Sequence, residues 1–164
     1  IHYVYGRGHR RIAFIHGELT TVTQNRLTGF YRACEELGLE IPDRYIREGV
    51  YHDPDSCEAV TRELLTLPER PTCIIFPDDF SYIGGLKALT DAGLRVPEDI
   101  SAVGYDGIHL ARVLKLTTYY QDTKALGATA AKKLIQLIEH PKTTLMDSAV
   151  IPGRLLQGDT VKAI

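Results

Sequence analysis

The sequence predicts a three-layer α/β/α domain built on a doubly wound, mostly parallel sheet. Short β-rich runs alternate with helical-period stretches in the order β-α-β-α-β-α-β, and helical crossovers between successive strands imply parallel pairing. Two of the runs, "TCIIF" (72–76) and Ile100 to Tyr105, are apolar or small on both faces, as a strand covered from both sides requires. The helical stretches stop at glycines with a proline just beyond, Gly38 before Pro42 and Gly93 before Pro97, which is how a chain leaves a helix and is kept from resuming it.

Each element has its own local reason. Residues 11–15 form the first strand, and Leu27, Phe30, Cys34 and Leu37 then recur at helical spacing. Residues 46–51 alternate apolar and polar as a strand near a sheet edge does. Asp53-Pro54 is an N-cap followed by an N1 proline, and Cys57, Val60, Leu64 and Leu67 give the next helix its buried stripe until Pro68 and Pro71 break it. After strand 72–76, Phe80 to Ala92 is a helix whose Gly84-Gly85 pair weakens it and permits close packing. Strand 100–105 follows, and "LKLTTYYQD" (114–122) offers another strand at 116–120. Leu126, Ala130, Leu134, Leu137 and Ile138 mark a helix ending near His140-Pro141. The last strand, within 149–157, carries Pro152 and Gly153, so it belongs at an edge or a bulge. Crossover handedness lets helices cover both faces of the sheet; the expected strand order is 2-1-3-4, with 116–120 beside the fourth.

At 164 residues, 44% apolar and 24% charged, the chain suits one good core. Its net charge of −2 supplies no general attraction to nucleic acid or anionic lipid. The short basic cluster "GRGHRR" (6–11) reads as a solvated helix end. No apolar run approaches a membrane span and no signal-peptide pattern is present. Cys34, Cys57 and Cys73 stand singly, without metal or redox spacing, and read as small buried hydrophobes in a reducing, cytosolic compartment.

In open α/β sheets, ligands bind outside the carboxyl ends of the strands, where strand order reverses. The first strand leads there into "HGELTTVTQNR", with Thr21, Thr23 and Arg26 entering a helix. The second gives Tyr51 and His52, the third Asp78 and Asp79, the fourth Asp106. Carboxylates and a guanidinium take vicinal hydroxyls, and an aromatic ring covers an apolar sugar face, so the set suits a polyhydroxylated ligand. An acid after a strand is ordinarily a turn or helix cap, a role that fits Asp79 better than Asp78. Four such residues on one edge say more than any one of them.

Other chemistries fit less well. "GRGHRR" begins like a dinucleotide fingerprint but precedes a strand instead of following one. The six histidines are scattered, and no serine sits in a nucleophile elbow. The residues therefore call for no catalytic group, metal or cofactor. A phosphoacceptor reading of Asp78-Asp79 wants acids where the first strand ends in threonines.

"GHRRIAFIHG", "RLTGFYRACEELGLEI", "RPTCIIFPDDFSYIGGLKAL", "GLRVPEDISAVGYDG" and "LTTYYQDTKALGATAAKKLIQLI", in this order, resemble the effector-binding core of the LacI/GalR bacterial transcriptional repressors. The resemblance implies a periplasmic-binding-protein-like type I core of two subdomains hinged around a small effector, usually a sugar or purine, behind a DNA-binding helix-turn-helix headpiece. Residues 1–122 would be the carboxyl-terminal effector-binding subdomain, 123–141 a crossover helix belonging to the amino-terminal subdomain, and 142–164 the return strand. Carried over by motif, Arg26 is the effector-contacting arginine, Tyr51 the aromatic that packs on the ligand and Asp106 the ligand-binding aspartate. Asp78 stands where many members have asparagine, and Gln121 and Thr123 lie at the crossover. An asparagine can donate where Asp78 cannot, which favours ligand hydroxyl donors; Thr123 lacks the large aromatic some members have there.

The resemblance further implies a fragment without the headpiece, a carbohydrate effector, no chemical turnover, no membrane, and a homodimer built from helices 54–67 and 80–92. The 124–139 stripe would pack into the amino-terminal subdomain, and so face water in this chain by itself. A transport-system sugar-binding protein sharing the fold is the alternative.

Overall fold

In the computed structural model, which describes residues 1–143 and 147–164, the elements run in the expected order. Helix α1 (His2–Tyr5) precedes strand β1 (Ile12–His16), helix α2 (Thr21–Glu36), a 3-10 turn (Asp43–Tyr45) and strand β2 (Ile46–Glu48). Helix α3 (Pro54–Thr66), strand β3 (Cys73–Ile75), helix α4 (Tyr82–Asp91) and strand β4 (Ser101–Asp106) follow. Helix α5 (His109–Val113), strand β5 (Thr117–Tyr120), helix α6 (Thr123–Glu139) and strand β6 (Arg154–Leu156) complete the chain.

The sheet order is β2-β1-β3-β4-β5-β6. The first five strands are mutually parallel, and β6 pairs antiparallel with β5 at the edge. The expected order 2-1-3-4 and the place of the fifth strand are both found. Alternation along β1 divides the core. Ala13 and Ile15 join Cys57 and Leu64 of α3 and Tyr82 and Leu89 of α4 on one face. Ile12 meets Val4 of α1, and Phe14 meets Phe30 and Cys34 of α2, on the other. This is the three-layer arrangement, and period-2 alternation in a strand buried on both sides produces it. The three cysteines are free and buried; burial pushes the Cys57 and Cys73 thiols up to about 12. No helix among the described residues is long and apolar enough to cross a membrane.

Several boundaries move for physical reasons. β2 stops at Glu48, three residues short of the expected end, because the chain turns at Tyr51 and His52, where His52 takes a positive φ of 57°. Asp53 then caps α3 as expected, its Oδ1 accepting from the Ser56 amide at 3.1 Å. α2 starts earlier than its apolar stripe indicates, with Thr20 as N-cap, so Thr21 and Thr23 are helical and not in the loop. The last strand is shorter than 149–157 and occupies the edge that Pro152 and Gly153 predict. The basic cluster does end a helix: the Arg7 and Arg10 guanidinium groups lie 3.6 and 3.7 Å from the ring centres of Tyr3 and Tyr5. The glycine pair packs within this chain. A Cβ on Gly84 would stand 1.7 Å from the Pro54 carbonyl oxygen, and one on Gly85 2.1 Å from the Phe76 ring.

Helix α6 differs from the others. The Asp122 carboxylate caps it through the Ala125 amide at 2.9 Å, yet none of its residues is buried. Leu126, Leu134 and Ile138 are 57%, 57% and 70% exposed. The return segment expected over 142–164 includes residues 144–146, which lie outside the described residues.

Candidate functional site

The loop after β1 builds the first wall of the site. Gly17 has no side chain because the Tyr51 ring occupies that space; a Cβ would stand 2.2 Å from it. The Tyr51 amide donates to Glu18 Oε2 at 3.0 Å, and this bond holds the Glu18 carboxyl below its ordinary range. Thr23 is fully buried: its hydroxyl donates to the Glu18 carbonyl at 2.6 Å and meets the Tyr51 hydroxyl at 2.9 Å. With the Thr23 proton already given, the Tyr51 hydroxyl is the donor of that pair. Thr23 thus fixes the tyrosine and is itself sealed from the cleft. Thr21, on the first turn of α2, is exposed.

Arg26 follows on α2 and reaches across the sheet end. Its Nη1 donates to the Pro77 carbonyl at 2.8 Å, just past β3. The guanidinium lies 3.7 Å from the centre of the Tyr105 ring and 5.4 Å from that of Tyr51, so it is sandwiched by cation–π contacts. Tyr105 in turn stacks on Tyr119 with ring centres 5.2 Å apart, and burial raises its phenol above the ordinary range. Tyr51, Arg26, Tyr105 and Tyr119 make a continuous row of flat groups along the carboxyl edge of β1, β3, β4 and β5.

Asp106 ends β4 beside that row, with a positive φ of 101°. Gln121 Nε2 donates to its Oδ1 at 2.7 Å, and the Gln121 amide donates to its carbonyl at 3.1 Å. Gln121 therefore orients the aspartate from the start of the crossover. Thr123, the exposed first residue of α6, lines a depression of about 170 Å³ with Tyr105, Tyr119, Gln121, Leu126 and Ile151.

Neither of the two adjacent acids takes the role that sequence assigned it. Asp78 holds the turn that leads into α4: its Oδ1 accepts from the Ser81 amide at 2.7 Å, and its Oδ2 from the Ser81 hydroxyl and the His52 amide, each at 2.9 Å. At 1% exposure it braces α4 and the turn after β2 instead of lining the cleft, which corrects its expected place among the effector contacts. Asp79 is not a cap. It is buried beneath Asp106, held by Thr118 and by the Ile108 amide. Tyr105 was read only as strand filling; its place one residue before Asp106 at the strand end is the signal that could have found it. The structure therefore brings Arg26, Tyr51, Asp106 and Gln121 to one edge, with Thr23 beneath and Thr21 and Thr123 at the rim. Among the described residues no group of three or more His, Cys, Asp or Glu is arranged to hold a metal ion.

A polar, aromatic-walled edge at the carboxyl ends of a 2-1-3-4-5 sheet lies where open α/β sheets take their ligands. The model of the periplasmic binding protein-like domain matches residues 1–161. The chain belongs to that family. Within it, the resemblance to the effector-binding core of LacI/GalR regulators holds. An "HTH-type transcriptional repressor PurR" of Mannheimia succiniciproducens is 35% identical over 160 residues, covering 96% of this chain and 47% of the relative. A dimeric lac repressor structure superposes with a TM-score of 0.89 at 28% identity, over 99% of this chain and 59% of that one. The transcriptional regulator CelR–cellobiose complex gives 0.87 at 30% identity, over 96% and 49%. This periplasmic binding protein-like chain spans about half the length of the curated relatives it matches.

Proposed function

We propose that the chain is the effector-binding part of a cytoplasmic transcriptional repressor that takes a carbohydrate without turning it over. The observation that carries this reading is the Arg26 guanidinium held between Tyr105 and Tyr51 on the edge that ends in Asp106. Arg26 retains donors beyond the one given to Pro77, and Asp106 Oδ2 accepts no hydrogen bond from the described residues. A donor fork and an acceptor flanking aromatic faces match vicinal hydroxyls and the apolar face of a sugar ring. The cellobiose complex of a structural neighbour supports the same class. A planar heteroaromatic effector is the second reading, favoured by the row of flat groups from Tyr51 to Tyr119.

In this reading residues 1–122 and 142–164 form one subdomain, and α6, within 123–141, packs into the other. Closure of the two around the effector shifts a homodimer between states that hold operator DNA, through a helix-turn-helix headpiece, with different affinity. The repressor relatives favour regulation over the transport alternative. Gly84 and Gly85 pack inside the monomer and so lend the dimer no support, which comes from the dimeric neighbour.

The test is calorimetry of the intact repressor against a panel of mono- and disaccharides and nucleobases. Arg26→Ala or Asp106→Ala should each lower effector affinity about ten- to a hundredfold, the loss of one charge-assisted hydrogen bond, while operator binding without effector stays. Unchanged affinity in both variants would remove these residues from the site.

A further inference from the structure

Asp79 is fully buried and has no place among the effector contacts, yet strands β4 and β5 and the turn after β4 converge on it. Its Oδ1 accepts from the Thr118 hydroxyl of β5 at 2.6 Å. Its Oδ2 accepts from the Ile108 amide at 2.9 Å, and the Gly107 amide also points at the carboxylate. Its own amide donates to the Tyr105 carbonyl of β4 at 2.8 Å. Strand β4 has a glycine where the carboxylate passes over it: a Cβ on Gly104 would stand 2.3 Å from Asp79 Oδ1. The residues so gripped, 107 and 108, directly follow Asp106, whose φ of 101° is one that side-chain-bearing residues rarely adopt. A conformation of that kind persists only where the surroundings over-determine it. The Gln121 bonds on one side of Asp106 and the Asp79 bonds on the other do so here.

We infer that Asp79 is a positioning residue for the effector site: its carboxylate clamps the Gly107–Ile108 turn to β5 and thereby presents Asp106 to the cleft. The carboxylate suits this role because it only accepts, and the two amides and the hydroxyl around it only need an acceptor. Burial raises its carboxyl above the ordinary range, against the pull of Thr118 and the two amides. The clamp also joins the end of β3 to β5, so an effector that draws on Asp106 draws on the strand leading into the crossover helix. This inference rests on the reading that Asp106 contacts the effector.

The experiment uses the intact repressor and four proteins: wild type, Asp79→Asn, Asp106→Asn and the double variant. NMR reads the Asp106 amide–Hα coupling, which reports its φ, and amide exchange at Gly107 and Ile108; calorimetry reads affinity for cellobiose. In Asp79→Asn the coupling should change, and exchange at the two amides should rise about tenfold or more with α3 unaffected, as expected of a local opening. Cellobiose affinity should fall about tenfold in Asp79→Asn, and no further when the change is added to Asp106→Asn, because the two residues act as one unit. An unmoved turn overturns the inference. So does an additive loss, or a loss in Asp106→Asn without one in Asp79→Asn. Wild type that binds no cellobiose excludes that disaccharide alone, and the turn measurements then decide for or against the clamp. Should Asp79→Asn not fold, Thr118→Val removes one bond from the same carboxylate and carries the test with the same signs.

Discussion

Helices α4 and α6 both carry an apolar stripe at helical spacing, yet they end in opposite environments. Tyr82, Gly84, Gly85, Ala88 and Leu89 of α4 are buried, and no residue of α6 is. Helical sequence does not explain the contrast; topology does. α4 joins β3 to β4, two parallel neighbours, and such a connection must run back across the face of the sheet, where its stripe meets the core. α6 joins β5 to β6, which pair antiparallel. A short turn suffices for that step, so nothing in the connection presses α6 onto the sheet. A 17-residue helix inserted where a hairpin would do is there to reach something else, in keeping with its proposed place in a second subdomain.

The comparison can be broken by substitution. Leu64→Ala, in the layer that α3 and α4 share, should cost about 2–5 kcal/mol by urea unfolding, the range for a fully buried leucine. A much smaller loss would show that this layer is looser than its burial states. Gly84→Ala comes next. Its Cβ meets the Pro54 backbone, which cannot swing aside as a side chain end does, so a loss of about 1–3 kcal/mol or more is expected. Leu134→Ala in this chain should change stability least, within about 0.5 kcal/mol. The same substitution in the longer protein proposed above should cost about 1.5–3 kcal/mol, since burial of that side chain is then at stake. Equal effects in the two proteins would end the proposal that α6 docks on a second subdomain.

The site divides along a similar line. Arg26, Tyr51 and Asp106 were legible because strand ends can be located in sequence, and an open α/β sheet places its ligand there. The division of labour between Asp78 and Asp79 was not. Both are acids after the same strand, and which one holds the turn before α4 depends on which carboxylate the Ser81 amide meets and which the Ile108 amide meets, each within 3 Å. Gln121 was placed at the crossover, but its grip on Asp106 depends on the β4–β5 register, which sets Asp106 opposite Tyr120.

By itself the sequence determined the element order and the sheet edge on which the polar strand-end residues gather. Those follow from local periodicity and chain stops, each readable within a few residues. Tertiary structure alone decided where β2 ends, which carboxylate grips the turn after Asp106, and that Tyr105 completes the row around Arg26. Each of these depends on atoms distant in the chain coming within bonding or packing distance, and no local pattern encodes that.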